Sequence, residues 1–211
     1  MPRLPRESIS ARRARRAAVD DPDEVLAAAG RFLEARPRST DEVRRRLREA
    51  GYRGDLVEGA IARLTELGFL DDAGFARSWV ESRDRARPRG ARALRDELRR
   101  LGIGTADAEA ALAAREALAT GDDPDDPRGG REAGGRASSD ASDEAAAARL
   151  LVRKGAGLLR EPDPRKRRAR AYALLARAGF DPATAGRAAA TWLMTAGTML
   201  PDDETGAAPS S

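Results

Sequence analysis

"LREAGYRGDLVEGAI", residues 47–61, is written twice more along the chain, as "LRRLGIGTADAEAAL" over 98–112 and "LARAGFDPATAGRAA" over 175–189. Each copy opens Leu-x-x-x-Gly-apolar: Leu47/Gly51/Tyr52, Leu98/Gly102/Ile103 and Leu175/Gly179/Phe180. Each places an alanine nine residues beyond the glycine (Ala60, Ala111, Ala188) and Ile61, Leu112 or Ala189 one later. A glycine closing an apolar-periodic segment marks a helix end, because it takes the left-handed conformation without a side-chain penalty. The three stretches are therefore three copies of a helix–glycine–helix element. The first two glycines stand 51 residues apart and the last two 77. The excess of 26 points to an insertion before the third copy.

Working outward, a third helix precedes each element. Val25, Leu26, Ala29, Phe32 and Leu33 fall on one stripe at i, i+3, i+4, i+7 and i+8, and Pro37 stops that helix. Ser39 and Glu42 spell a capping box for the next, with Val43, Leu47 and Ala50 on its apolar face. Asp55 is placed to cap a third, which carries Val57, Ala60, Ile61, Leu64 and Leu67 and ends at Gly68. The second set starts at Asp71 or Asp72 as N-cap. Phe75, Trp79 and Val80 form its stripe, and Pro88 and Gly90 break it. Ala91, Leu94, Leu98 and Leu101 follow on one face, then a helix with Ala108, Ala111 and Leu112. The third set carries Ala147, Leu150 and Leu151, then Tyr172, Leu175 and Ala178. Its last helix, capped by Asp181, bears Ala185, Ala188, Ala189, Trp192 and Leu193.

The expected fold is all-α: three tandem three-helix repeats forming an elongated curved array, with a flexible insertion before the third. The boundaries expected are a basic flexible tail with helical tendency over 1–20, repeats over 21–69, 70–119 and 143–197, and a disordered tail over 198–211. Residues 120–142, "TGDDPDDPRGGREAGGRASSDAS", contain no large apolar residue and read as a disordered acidic linker. A module of about 50 residues is short of core, so docking on its neighbour must supply part of its stability.

Composition narrows the function classes. The 211 residues hold no Cys and no His, which removes disulfides, thiolate chemistry, Cys/His zinc sites and imidazole acid–base work. No phosphate-cradling Gly-rich loop is present and no nucleophile–base set can be named, so neither catalytic nor metal residues nor a cofactor are expected. No apolar run approaches the roughly 20 residues of a membrane span, and the basic N-terminus lacks the apolar core of a secretory signal. A cytoplasmic protein without membrane contact, and a monomer, is expected.

The net charge is +4 and the pI about 10.2. All but two of the 39 basic residues are arginine, Lys154 and Lys166 being the exceptions. That bias also fits GC-rich coding, so position matters more than abundance. The three middle helices are basic off their apolar stripes: Arg44, Arg45 and Arg48 in the first, Arg92, Arg95 and Arg99 in the second, Arg165, Lys166 and Arg168 in the third, with Arg83 between. A single such face is what solvent alone would allow. Three in register point to a track for a polyanion or an acidic protein surface. Phe75, Trp79 and Leu98 read as core, Asp71 and Asp72 as helix caps rather than half a metal site, and Gly102 as a helix stop. A direct DNA binder of helix-turn-helix type is the competing reading.

The wording of these stretches resembles the RecX family of bacterial regulatory proteins. "RPRSTDEVRRRLREAGY" (36–52), "LTELGFLDDAGFARSWVESR" (64–83) and "RGARALRDELRRLGI" (89–103) follow its pattern. The matching residues are Arg36, Ser39, Leu47 and Gly51, then Leu70, Asp71, Asp72, Phe75, Ala76, Trp79, Val80 and Arg83, then Gly90, Glu97, Leu98, Gly102 and Ile103. "ARLLVRK" (148–154) and "LLARAGFDPATAGRAAATWL" (174–193) are similar to the family's last repeat, so the likeness covers about 25–118 and 144–196. The resemblance implies a right-handed curved array that binds the RecA recombinase on single-stranded DNA, lying in the filament groove and bridging protomers. It further implies inhibition of RecA's ATPase and strand exchange, and a place in DNA repair, homologous recombination and the SOS response. A filament-groove binder also has room for weak direct contact with DNA. The 120–142 insertion and the basic N-terminal tail have no counterpart in that pattern.

Overall fold

The computed structural model describes residues 8–121 and 140–198. Within them the chain is helical: α1 Ile9–Ala17, α2 Pro22–Leu33, α3 Thr40–Ala50, α4 Gly54–Glu66, α5 Asp72–Ala86, α6 Ala91–Arg100, α7 Thr105–Thr120, α8 Asp140–Leu158, α9 Pro164–Arg177 and α10 Pro182–Thr198. No strand occurs among the described residues. Most of the 120–142 stretch read as linker lies outside the described residues, as do 1–7 and 199–211 of the expected tails. α8 begins at Asp140, inside that stretch, and α1 occupies the middle of the basic tail.

The repeated glycine ends three helices in one way. Gly51, Gly102 and Gly179 have φ of 105°, 80° and 86°. In each case the next residue's N–H reaches back to the leucine carbonyl: Tyr52 to Leu47 at 3.3 Å, Ile103 to Leu98 at 3.0 Å, Phe180 to Leu175 at 3.3 Å. The left-handed glycine thereby satisfies carbonyls that a helix end leaves open, and it turns Tyr52, Ile103 and Phe180 back into the core, where all three are buried.

The chain divides into two compact units. One takes in the chain to Ser82 with Arg95–Arg115, the other Arg83–Leu94 with the chain from Glu116. The boundaries fall inside α5, α6 and α7, so the expected second repeat is divided between the units.

In the first unit, Val25 and Ala29 of α2, Val43 and Leu47 of α3, and Val57, Ala60, Ile61 and Leu64 of α4 form one core, with Tyr52 and Leu70. Ser39 and Glu42 form the capping box, the Ser39 hydroxyl accepting from the Glu42 N–H at 3.2 Å and Glu42 accepting from the Ser39 N–H at 3.3 Å. The Ser39 hydroxyl also donates to the carbonyl of Leu101 at 2.5 Å. Close by, Gly102 meets Asp41: a Cβ on Gly102 would lie 2.2 Å from the Asp41 Cβ. The paired aspartates split their work. Asp71 accepts from the Gly74 N–H at 2.9 Å and caps its own helix, α5. Asp72 accepts from the Thr40 N–H at 2.8 Å and caps α3. On α5 the buried residues are Ala76 and Val80. Phe75 and Trp79, expected as core, are only half-buried; their rings stack 6.0 Å apart and the Trp79 indole N–H donates to Glu97 at 3.0 Å. The polar end of the indole keeps that ring at the edge, where a partner for its N–H is available.

The second unit repeats the joint with other residues. Asp143 of α8 accepts from the Ala91 N–H at 3.1 and 3.0 Å, capping α6 as Asp72 caps α3. Gly179 packs on α6, where a Cβ would come 2.3 Å from the Ala93 Cβ, and the Gly90 N–H donates to the Ala178 carbonyl at 3.2 Å. Glu116 accepts from the N–H groups of Ala141 and Ser142 at the start of α8. Ala146, Ala147 and Leu151 of α8, Ala171 and Leu175 of α9, and Ala185 and Ala189 of α10 form the core. Trp192 packs beside it against Gly155, where a Cβ would lie 2.6 Å from the ring.

Candidate functional site

The arginines singled out by sequence fall into two groups. Arg44 grips Glu58 with two donors, Nε at 3.1 Å and Nη2 at 3.2 Å, and Arg48 reaches the same carboxylate at 2.7 Å. The Arg44 hydrogen bond, with the charges of Arg44 and Arg48 and the Arg48 hydrogen bond, outweighs desolvation and holds the Glu58 carboxyl below the usual carboxylate range. Arg45 meets Asp41 at 3.4 Å, four residues earlier on α3. Arg95 repeats the Arg44 arrangement, pairing with Glu109 through Nε at 2.7 Å and Nη2 at 3.0 Å. Both arginines stand seven residues before their glycine and both glutamates seven after it, so the fork spans the same helix–turn–helix in each copy. Arg99 pairs with Asp96. These residues neutralise one another within the chain, and as exposed pairs each adds little to stability.

The remaining cations are differently placed. Arg92 on α6 and Arg165, Lys166 and Arg168 on α9 are exposed and have no carboxylate partner among the described residues. Arg100, not singled out from sequence, shares that condition. Arg83 is half-buried on α5. Of the cations singled out by sequence, those without a carboxylate partner among the described residues therefore sit on α6 and on the first turns of α9. On α3, Arg44, Arg45 and Arg48 are paired within the chain. The fork was hidden because Arg44 and Glu58 lie 14 residues apart across a turn.

Sequence reasoning also missed cations that gather around two grooves. Arg12, Arg13, Arg16, Arg31 and Arg46 line one in the first unit. Arg87, Arg89, Arg153, Lys154 and Arg177 line one in the second. The signal available was helical spacing: Arg31 and Phe32 on α2 stand three and four residues after Ala28, as Arg153 and Lys154 on α8 stand after Leu150. Among the described residues no carboxylate group is arranged to hold a metal ion, and no helix is long and apolar enough to cross a membrane.

Comparison with known proteins bears on this surface. The RecX first three-helix domain matches residues 26–64 and the RecX second three-helix domain residues 71–112. The "Regulatory protein RecX" of Mycobacteroides abscessus is 42% identical over 83 residues, 39% of this chain and 41% of that protein. That of Mycolicibacterium vanbaalenii is 39% identical over 87 residues, 41% of this chain and 47% of its own length. That of Prosthecochloris aestuarii is 40% identical over 81 residues, 38% of this chain and 54% of its length. The matched region thus spans about half of each of these relatives. In fold, the chain is similar to the crystal structure of RecX from Lactobacillus salivarius, with a TM-score of 0.60 at 19% identity over 83% of this chain and 98% of that one. A second structure, of regulatory protein RecX, gives 0.55 at 19% identity over 87% and 78%. The fold likeness thus extends beyond the two matched stretches, and in sequence residues 26–64 and 71–112 of this chain are similar to the first and second three-helix domains of RecX.

Proposed function

We propose that the chain is a non-catalytic regulator of the RecA recombinase filament. It binds the filament on single-stranded DNA and, as its main effect, inhibits ATP hydrolysis and strand exchange. The observation that carries this reading is the match of residues 26–64 and 71–112 to the first and second three-helix domains of RecX. The exposed, internally unpaired cations Arg92, Arg165, Lys166 and Arg168 supply contacts of the right sign for an acidic groove wall or for strand phosphates. The expected module boundaries, the curved array lying along the groove, the monomeric state and a cytoplasmic site of action belong to the same proposal.

The test is RecA-driven ATP hydrolysis and strand exchange on single-stranded DNA with the full chain added. Inhibition at amounts stoichiometric with RecA is expected. Replacing Arg92, Lys166 and Arg168 together by glutamate raises the amount needed about tenfold or more, since each reversal turns an attraction into a repulsion. Arg44→Gln leaves it nearly unchanged, because that guanidinium already serves Glu58. Absence of any effect of the unaltered chain on RecA would overturn the reading. Tight binding to naked duplex DNA, falling steeply with salt, would favour direct DNA binding in its place.

A further inference from the structure

The two basic grooves are one feature built twice. They enclose about 500 Å³ and 490 Å³, and each lies within one unit. One wall comes from α2 through Ala28, Arg31 and Phe32, or from α8 through Leu150, Arg153 and Lys154, at the same i, i+3, i+4 spacing. The next wall is the end of the middle helix. Ala50 stands directly before Gly51 as Ala178 does before Gly179, and Arg46 and Leu174 each stand five before. The third wall is whatever docks on that glycine. In the first unit this is α1, which brings the Arg13 carbonyl to 2.9 Å from where a Gly51 Cβ would be. In the second it is the segment that leads through Pro88 to Gly90, whose own Cβ would lie 2.3 Å from the Gly179 carbonyl oxygen.

The two copies share little sequence and much chemistry. Each has an apolar floor: Phe32, Leu47 and Tyr52 in the first, Pro88, Leu150 and Leu174 in the second. Each has five cations at its rim. Among the described residues, Glu49 is the one carboxylate lining either groove. Arg12, Arg31 and Arg46 in the first, and Arg87, Lys154 and Arg177 in the second, have no carboxylate partner among the described residues. Arg153 is oriented by the carbonyls of Ala86 and Arg85, at 2.9 and 2.6 Å, which fix its position and leave its charge uncompensated. Like charges gathered around an apolar floor repel one another and raise the potential there until an anion arrives. A bare phosphate backbone would use the rim and waste the floor, and the second groove offers no aromatic ring on which a base could stack. An acidic segment with a large apolar side chain uses both, and each volume has room for such a side chain with part of its segment.

We propose that each groove is a docking site for an acidic peptide segment anchored by a large apolar side chain, so that one chain takes two. This goes beyond the regulatory reading and does not require that the partner be RecA.

The experiment uses the full chain and a short labelled peptide of glutamates and leucines, with a matched peptide carrying serine for leucine. Fluorescence anisotropy gives affinity and calorimetry gives stoichiometry. Two sites are expected for the leucine peptide. Arg31→Glu weakens one about tenfold, Lys154→Glu the other, and the double variant loses both. The serine peptide binds about tenfold more weakly, having nothing to set on the floor. Both residues are exposed and without carboxylate partners, so unchanged thermal unfolding is the control for folding. Three results would overturn the proposal: no leucine-peptide binding, binding indifferent to both reversals, or equal binding of the serine peptide. Displacement of the peptide by single-stranded DNA at equal affinity would also overturn it, marking the grooves as phosphate sites. Running the RecA ATPase assay on the same proteins separates this failure from failure of the regulatory reading, since either can occur without the other.

Discussion

Glu42 holds several groups at once. Its carboxylate accepts from Arg36 at 2.6 Å, lies 3.6 Å from Arg38, and closes the capping box on the Ser39 N–H, while its side chain is 9% exposed. Burial alone would raise its pKa. The hydrogen bonds from Arg36 and Ser39, with the charges of Arg36 and Arg38, more than offset that and leave it lowered from 4.5. A carboxyl whose pKa is lower in the folded state adds stability above its unfolded pKa, and that stability is lost as pH falls through the folded value. Glu42→Gln is therefore expected to cost about 1–2 kcal/mol at neutral pH in urea unfolding. The gap should narrow as the pH is taken below 4.5 and through the folded value. A gap that stays constant on acidification would show that charge has no part in it. The capping box was legible because both partners lie within one turn of helix. The Ser39 hydrogen bond to Leu101, 62 residues on, was not.

At the scale of helices, the glycine stop was legible for the same local reason, since the leucine carbonyl, the glycine and the apolar residue after it span six positions. Its second role was not, because the chain that crowds it is distant in sequence. Comparison of two glycines separates the roles. Gly68 has φ of 73° and nothing within 4 Å of the position its Cβ would take, whereas Gly102 has φ of 80° and a Cβ there would overlap Asp41. Gly68→Ala is expected to cost about 1–2 kcal/mol from the left-handed backbone alone. Gly102→Ala adds the overlap and should cost measurably more, read as the difference in denaturation midpoints. Equal costs would mean that the Gly102–Asp41 contact yields freely. Helix caps supplied from elsewhere in the chain were hidden too. Asp71 or Asp72 reads as the cap of α5; Asp71 takes that role and Asp72 serves α3. Asp143 serves α6 from the first turns of α8, a helix that starts in the stretch composition assigned to linker.

For the whole chain, the repeat, the all-helical class and the family likeness were legible, because they rest on periodicity and local wording. The distribution of usable charge was not. Arginine is so abundant that its count says little, and ion pairs such as those of Arg44, Arg48 and Arg95 with Glu58 and Glu109 reveal which cations are already engaged. The cations left over are exposed, so their attraction to a partner is screened by salt. The chain needed for half-inhibition of RecA is expected to rise severalfold between about 50 and about 300 mM KCl, where the Debye length falls from about 14 to about 6 Å. An inhibition curve that does not move with salt would place the binding energy in apolar contacts instead.

The joint at Gly51 has a wider consequence. At Gly102 and Gly179 the crowding segment is the start of another copy's middle helix, but at Gly51 it is α1, a helix with no buried residue of its own. Stacked repeats present an unfilled face at each terminus, and such a face accepts one more copy, whether from the same chain or from a neighbour. At Gly51 the nine residues of α1 take the place that the start of another middle helix takes at Gly102 and Gly179. A further copy docked at Gly51 would have to displace α1 first, so α1 and such a copy compete for one surface.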